Sequence, residues 1–509
     1  MKPLLMHPDA DFDLSGPMPW NETALVADLG LDSMLAVMAG RDPFLLEIAR
    51  RAVLRSAHDV ATIRHRQSIL QDCEREPAVL QHLYDLSVEA IERERREYLG
   101  ILSQYPGAML HRGLRVLGSF LDLLVELRRC ADRNGARFRS PGFRRLFAEI
   151  RDELSEDFFA EVRRHLKLLR FDRGVLLSAR LGQGVKGQGY VLRRTEQGRW
   201  DWLWQLLACD RRRAYLIYVH PRDETGARCL SELSDRGIQL VALAVAQSAD
   251  HVLGFFRQLR AELGFYIACL RLRDELQRRS LSLCMPEPLP AGERRFSCRG
   301  LYDVGLALRQ RQPVIGNDVM GDGKLLLVVT GANQGGKSVF LRSVGVAQLM
   351  MQCGMYAPAD AYTSDICDGL FTHYKREEDP GMASGKLDEE LKRMSEIIDH
   401  LTPHAMVLFN ESFAATNERE GSEIARAITR ALIAKGKKVL FVSHLHEFAR
   451  SLFNHRLEEA VFLRADRRSD GSRTFKLMPG EPLPTSFGVD LYQRILGPSA
   501  SLDPAGSGA

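Results

Sequence analysis

The stretch Leu325-Leu326-Leu327-Val328-Val329-Thr330-Gly331-Ala332-Asn333-Gln334-Gly335-Gly336-Lys337-Ser338 decides how the chain is read. Residues 325–330 are an unbroken aliphatic and β-branched run, which predicts a strand buried on both faces, and residues 339–352 carry a helical pattern. Between them stands Gly-x-x-x-x-Gly-Lys-Ser in the strand, loop, helix context that gives the pattern its meaning. Glycines let backbone N–H groups close around phosphate oxygens, and the start of the following helix adds a favourable dipole. Lys337 is expected to reach the β and γ oxygens, and the Ser338 hydroxyl to ligate Mg²⁺. Gly331, Ala332, Asn333, Gln334, Gly335, Gly336, Lys337, Ser338 and Val339 are therefore the candidate phosphate-binding residues, with ATP and Mg²⁺ as the expected ligands.

Two later strand ends extend this reading. Residues 405–409 form a second apolar run that closes on Asn410-Glu411, where a nucleotide hydrolase places an acidic pair. An aspartate at the first position would give the Mg²⁺ shell a full negative charge. The Asn410 amide oxygen accepts from a metal-bound water without supplying charge, so Mg²⁺ affinity is expected to fall. Glu411 is placed to orient or polarise an attacking water, or else merely closes the strand. Residues 438–442 form a third run, followed by Ser443-His444-Leu445-His446. At a strand's carboxyl end His444 would face the crevice where such sheets bind ligands and sense a γ-phosphate. Paired with His446 on a strand face it would instead offer a metal site, though no acidic or cysteine partner stands at ligand spacing.

Around this centre the 509 residues allow two to four domains, at roughly 100–200 residues each. With 45% apolar and 27% charged residues, whole-chain disorder and fibrous repeats are excluded. The balance of 70 Lys+Arg against 66 Asp+Glu, net +4, neither demands nor forbids a nucleic-acid partner. Nine cysteines without a Cys-x-x-Cys pair fit reduced thiols and a cytoplasmic setting. No run approaches the ~20 uninterrupted apolar residues that cross a bilayer, so no membrane partner is expected. Residues 28–279 are helical in pattern, with blocks at 82–129, 143–169 and 252–276. In the last block Val252, Phe256, Leu259, Leu263, Tyr266 and Leu270 make one stripe on a rod on the order of 40 Å long, suited to a lever. Residues 175–219 change to period two and read as a small β-rich insertion, and 282–300, with Pro286, Pro288 and Pro290, as a linker.

Together with Gly354-Met355-Tyr356-Ala357-Pro358, Ala383-Ser384-Gly385, Ser443-His444 and Ser486-Phe487-Gly488, the loop and the 407–411 strand end resemble the ATPase domain of the MutS family, the DNA mismatch repair ATPases. That resemblance covers about residues 314–497. Residues 31–73, with Arg51-Ala52-Val53-Leu54 and 59–67, are similar to the family's core domain, and 80–300 match it in character. The resemblance implies an α/β P-loop NTPase (ABC-type ATPase) domain over 301–498. Before it would come an N-terminal extension (1–27), a mostly α-helical core and lever domain with the β-rich insertion (28–285) and a linker (286–300), and after it a disordered tail (499–509). It further implies ATP and Mg²⁺ as cofactors, DNA and repair proteins as partners, and a homodimer with composite ATP sites. Val314 and Asn317 would lie against the adenine, and Ser384 would belong to the loop that meets a partner's nucleotide.

Several positions depart from the family pattern. Asn410 replaces the usual aspartate, Leu387-Asp388-Glu389 stand where the family has Ser-Thr-Phe, and Val314 stands where many members place an aromatic ring. The chain opens on the core-like segment, so the mismatch-reading domain is expected to be missing, and little room follows Gly497 for a dimerisation element. The expected function is an ATPase that slowly hydrolyses ATP and couples nucleotide state to DNA clamping in repair or recombination, without the usual mismatch reading. The alternative is a nucleotide-gated scaffold that binds ATP and protein partners with little hydrolysis.

Two further signals lie in the insertion. Gly182-Gln183-Gly184-Val185-Lys186-Gly187 matches a dinucleotide fingerprint by letter, yet a strand-like segment follows it where a helix should, so a glycine-rich loop is expected. Lys186, Arg193, Arg194, Arg211, Arg212 and Arg213 interleave with Tyr190, Trp200, Trp202 and Trp204. They form either a DNA-contacting surface or a solvated basic rim over a tryptophan face.

Overall fold

A computed structural model describes residues 1–97, 105–172, 174–185, 187–193, 218–310, 312–332, 335–376, 385–468 and 473–483. The chain divides into two compact units. Met1–Pro3, Glu76–Arg139 and Phe143–Leu263 make one; Leu4–Arg75, Ser140–Gly142 and everything from Gly264 onward make the other. The units therefore do not follow a linear division near residue 300.

The second unit begins with four helices, α1 (Glu22–Leu29), α2 (Asp32–Ala39), α3 (Pro43–Leu54) and α4 (Val60–Arg75). Asp42 starts α3 by accepting from the Phe44 N–H, with Pro43 in the first turn, where its missing N–H is harmless. Residues 1–27 are no loose extension: Leu5, Met6 and Phe12 are buried and Glu22 already opens α1. Apolar side chains so spaced gain most by joining the core beside them.

The first unit is helical. It holds α5 (Pro77–Arg96), α6 (Pro106–Asn134), α7 (Pro141–Glu153) from Phe143 onward, and α8 (Glu156–Leu168). The block expected at 82–129 is thus two helices, each opened by a proline, and the block at 143–169 breaks at Ser155, whose side chain caps α8 by accepting from Phe158 N–H. An antiparallel hairpin, β1 (Leu177–Leu181) and β2 (Gly187–Leu192), follows, and the glycine-rich run is its connection. Of the tryptophan strands expected at 200–218, residues 200–217 lie outside the described residues, as does the tail at 499–509, and Tyr218 is exposed.

α9 (Glu224–Arg278) has 55 residues, about 80 Å of helix and twice the expected lever. Its Ile238, Ala242 and Val245 pack with Leu110 and Leu114 of α6. By length and composition alone α9 could cross a membrane, one 18-residue window reaching a mean hydropathy of 1.3. Searching for uninterrupted apolar residues passes over such a window, because polar residues are scattered through it.

The second unit resumes with β3 (Glu287–Leu289), β4 (Phe296–Leu301), α10 (Val304–Arg309), β5 (Asn317–Met320), β6 (Leu326–Thr330), α11 (Lys337–Gln352), β7 (Ala361–Asp365), β8 (Leu370–Tyr374), α12 (Lys386–Asp399), β9 (Met406–Asn410), α13 (Glu418–Ala434), β10 (Lys438–Val442), α14 (His446–Asn454), β11 (Ala460–Arg467) and β12 (Arg473–Pro479). Six strands form one sheet in the order β12-β11-β6-β10-β9-β8, parallel except for β12. Four form another, β3-β7-β4-β5. Residues 286–300 are therefore not a linker. β3 is the outer strand of the second sheet, and an edge position tolerates proline because the missing N–H need not serve a ladder on both sides. α11 is buried along almost its whole length, between α1 and α3 and the sheet strands β9 and β10. That packing draws residues 4–75 into this unit.

Candidate functional site

Three strand ends gather at one edge of the six-stranded sheet. Register sets Val329 of β6 opposite Val442 of β10, Val442 opposite Asn410 of β9, and Asn410 opposite Tyr374 of β8. Gly331, Ser443 and Glu411 consequently leave the sheet on the same side. The turn out of β6 is made by left-handed glycines, Gly331 at φ 113° and Gly336 at φ 89°. Their neighbours leave little space: a Cβ on Gly331 would lie 2.9 Å from the Ala465 nitrogen, and one on Gly335 would lie 2.8 Å from the Ala465 methyl. Larger residues would push the loop off the β11–β12 hairpin.

Lys337 opens α11 and is buried; its Nζ donates to the carbonyls of Gly331 and Ala332 at 2.8 and 2.9 Å. Burial pulls its pKa down, and the facing Glu411 carboxylate offsets part of that pull. One residue on, the Ser338 hydroxyl donates to Asn410 Oδ1 at 2.8 Å. Asn410 thus offers a neutral acceptor where an aspartate would offer charge. Val339 follows, half-buried in the first turn.

Glu411 itself is held in the left-handed region, φ 54°, with its N–H donating to Val442 at 2.9 Å. Ser412 behind it is fully buried and 2.7 Å from Nδ1 of His373, whose Nε2 lies 2.9 Å from the Glu390 carbonyl. Burial holds the His373 imidazole down at about 4, so it is neutral near pH 7.

Lys337, Ser338, Asn410 and Glu411 therefore come together, and the exposed His444 leaves the sheet at the same edge. His446 does not share a strand face with it: β10 ends at Val442 and His446 begins α14. Among the described residues no group of three His, Cys, Asp or Glu stands at metal-binding distance. Val314 is half-buried ahead of β5. Asn317 is buried, and its amide is tied to β12, donating to Phe475 O at 3.3 Å and accepting from Leu477 N–H at 2.8 Å. Arg193, exposed at the end of the hairpin, donates to Ser178 Oγ at 2.9 Å. Asn333, Gln334, Ser384, Lys186, Arg194, Arg211, Arg212 and Arg213 lie outside the described residues.

This donor set fits the expected ligands. A hydroxyl, an amide oxygen and a carboxylate are the hard oxygens Mg²⁺ prefers, and a lysine resting on loop carbonyls within a left-handed glycine turn suits a triphosphate. The reading from sequence did not include Ser412 and His373 behind Glu411, or Ala465 and Phe475 beside the loop. Those neighbours arise from strand pairing and helix packing, which residue spacing does not encode.

Residues 58–279 match the family described as MutS2 N-terminal domain, and residues 327–506 the family described as MutS domain V. The DNA mismatch repair protein MutS of Porphyromonas gingivalis (strain ATCC BAA-308 / W83) is 31% identical over 265 residues, 50% of this chain and 29% of the relative. That of Thermotoga sp. (strain RQ2) is 35% identical over 140 residues, 27% of this chain and 18% of the relative. That of Chloroflexus aurantiacus (strain ATCC 29366 / DSM 635 / J-10-fl) is 32% identical over 141 residues, 27% of this chain and 15% of the relative. Each alignment thus spans less than a third of the relative's length. With one family matching the helical body, another matching the loop and the strand ends that face it, and relatives of the same name on several sequences, the chain belongs to the MutS family.

Proposed function

We propose that the chain is a MutS-like ATPase of P-loop, ABC-type architecture that binds ATP with Mg²⁺, hydrolyses it slowly and couples its nucleotide state to DNA clamping in repair or recombination. The observation that carries this reading is the meeting of Lys337, Ser338, Asn410 and Glu411 at one sheet edge. In it the amides of residues 331–336 hold the phosphates, and Lys337 exchanges its loop carbonyls for β and γ oxygens. Ser338, Asn410 and Glu411 would hold the Mg²⁺ shell, and Mg²⁺ bound there would supply charge stabilisation to the phosphate oxygens. Glu411 orients the attacking water and His444 sits beside the γ-phosphate. Val314 packs on the base with aliphatic surface. Family membership supports DNA as partner, repair proteins as associates and a homodimer with composite sites completed from the Ser384 loop. The basic groups at 186–213 are the proposed DNA contacts.

Asn410 favours a second reading, a nucleotide-gated scaffold with little turnover, since Ser338 meets a neutral amide. ATPase rates of the native chain, Lys337→Ala and Asn410→Asp separate the two. The native rate is expected to exceed that of Lys337→Ala, and Asn410→Asp to raise it severalfold by restoring charge to the metal shell. A native rate equal to that of Lys337→Ala leaves the scaffold reading. Titration with duplex, branched and single-stranded DNA, with and without ATP, tests the clamp; binding that does not weaken with salt would point to another partner.

A further inference from the structure

We propose that His373, buried in β8, is the positioning residue that holds Glu411 in its left-handed conformation, so that its loss lowers turnover and leaves ATP binding unchanged. The proposal rests on the reading of Glu411 as the water-orienting group. Glu411 and Phe413, two non-glycine residues in a three-residue stretch, both have positive φ, 54° and 61°. Such backbone persists only where the surroundings over-determine it. Each residue of the stretch is gripped: Glu411 by its N–H on Val442, Ser412 through its hydroxyl, and Phe413 through its ring.

Two of those three grips are on His373. Ser412 Oγ lies 2.6 Å from the His373 carbonyl and 2.7 Å from Nδ1, and the Phe413 ring stacks on the imidazole at 5.1 Å and 19°. The far side of the imidazole fixes its tautomer. A carbonyl only accepts, so Nε2 carries the proton and donates to Glu390 O at 2.9 Å, which leaves Nδ1 as an acceptor. The single Ser412 hydroxyl proton is then shared between Nδ1 and the His373 carbonyl. His373 is fully buried, a neutral imidazole spanning from α12 to the turn that carries Glu411. Among the described residues its ring atoms make their polar contacts with Ser412 and the Glu390 carbonyl. Displacing a reacting group by about 1 Å can slow chemistry a hundredfold, so small relaxation of this turn is enough to matter.

The test compares His373→Leu, His373→Asn and Ser412→Ala with the native chain in steady-state ATP hydrolysis, ATP titration and amide hydrogen exchange of the segment 406–417. His373→Leu and Ser412→Ala are expected to lower kcat about tenfold or more with KM and ATP affinity within about twofold. His373→Asn, whose amide can stand in for Nδ1, should recover most of the rate. His373→Leu combined with Ser412→Ala should be no slower than either alone, because both break one linkage. A packing role alone predicts the reverse order, Leu above Asn, because the site is wholly apolar on its Phe409 and Phe413 sides. That order, or a His373→Leu kcat within twofold of native, overturns the proposal. If the native chain hydrolyses no faster than Lys337→Ala, the ATPase reading fails and exchange decides. Faster exchange at 411–413 in His373→Leu but not in His373→Asn then upholds the role of His373, and unchanged exchange overturns it.

Discussion

At the scale of single residues, His373 and His7 set the acid response. Both imidazoles are held at about 4, chiefly by burial, with the Arg66 charge adding to the effect at His7. In the unfolded chain each takes up a proton near pH 6.5, so between pH 6.5 and 4 the unfolded state binds more protons and stability is lost as pH falls. The fully buried His373 alone is worth about 3 kcal/mol across that window. Asp28 and Glu390, whose carboxyls burial raises, act in the opposite sense. The urea midpoint is therefore expected to drop between pH 7 and 5, and His373→Asn to flatten the profile. A native midpoint that does not change over this range would show that the imidazole is charged or solvated in the folded state. None of this was legible in the sequence, where His373 is one histidine among fourteen and its partners stand 17 and 39 residues away.

At the scale of elements, the legible parts were those whose pattern is complete within a few residues. β6, β9 and β10 are continuous apolar runs buried on both faces, and the glycine loop announces the start of α11. β3 was hidden by its prolines, and the first half of α9 by Leu230, Leu233 and Leu240, which are exposed and give no clean stripe. The most informative joint links two segments that each resembled the family separately, 59–67 and 354–358. Arg66 of α4 is 1% exposed, and its guanidinium donates to Met6 O at 2.7 Å and Cys353 O at 3.3 Å. Gly354 terminates α11 at φ 85°, where a Cβ would lie 2.4 Å from the Arg66 Cβ. Gly354→Ala must therefore both strain the backbone and displace a buried arginine, a loss of about 2–4 kcal/mol. Arg66→Leu should cost about as much, because it strips two carbonyls, those of Met6 and Cys353, of their donor. Chemical denaturation of each variant measures this. A loss below about 1 kcal/mol for Gly354→Ala would mean that α4 and α11 do not depend on this joint.

At the scale of the whole molecule, the unit that carries the glycine loop is assembled from both ends of the sequence, which no linear boundary conveys. α11 places one side on the sheet and the other on α1 and α3; at Gly345 the missing side chain makes room for Leu29, and a Cβ there would come within 2.6 Å of it. Leu25, Leu29, Leu45, Ile48 and Val53 are all at most 3% exposed. At about 1.5–3 kcal/mol for each buried aliphatic side chain, these five alone contribute roughly 10 kcal/mol, comparable to the entire stability of an ordinary domain. A fragment that starts at residue 286 keeps the glycine loop, every strand of the six-stranded sheet and the candidate catalytic residues, yet leaves the outer side of α11 in water. It is expected to lack a cooperative urea transition, to bind a hydrophobic dye and to have lost ATP binding. Adding residues 4–75 as a separate chain should restore part of the transition, because the surfaces that meet are already shaped for each other. A fragment that melts cooperatively and binds ATP with native affinity would show instead that the N-terminal helices only cover α11, and that the nucleotide site folds without them.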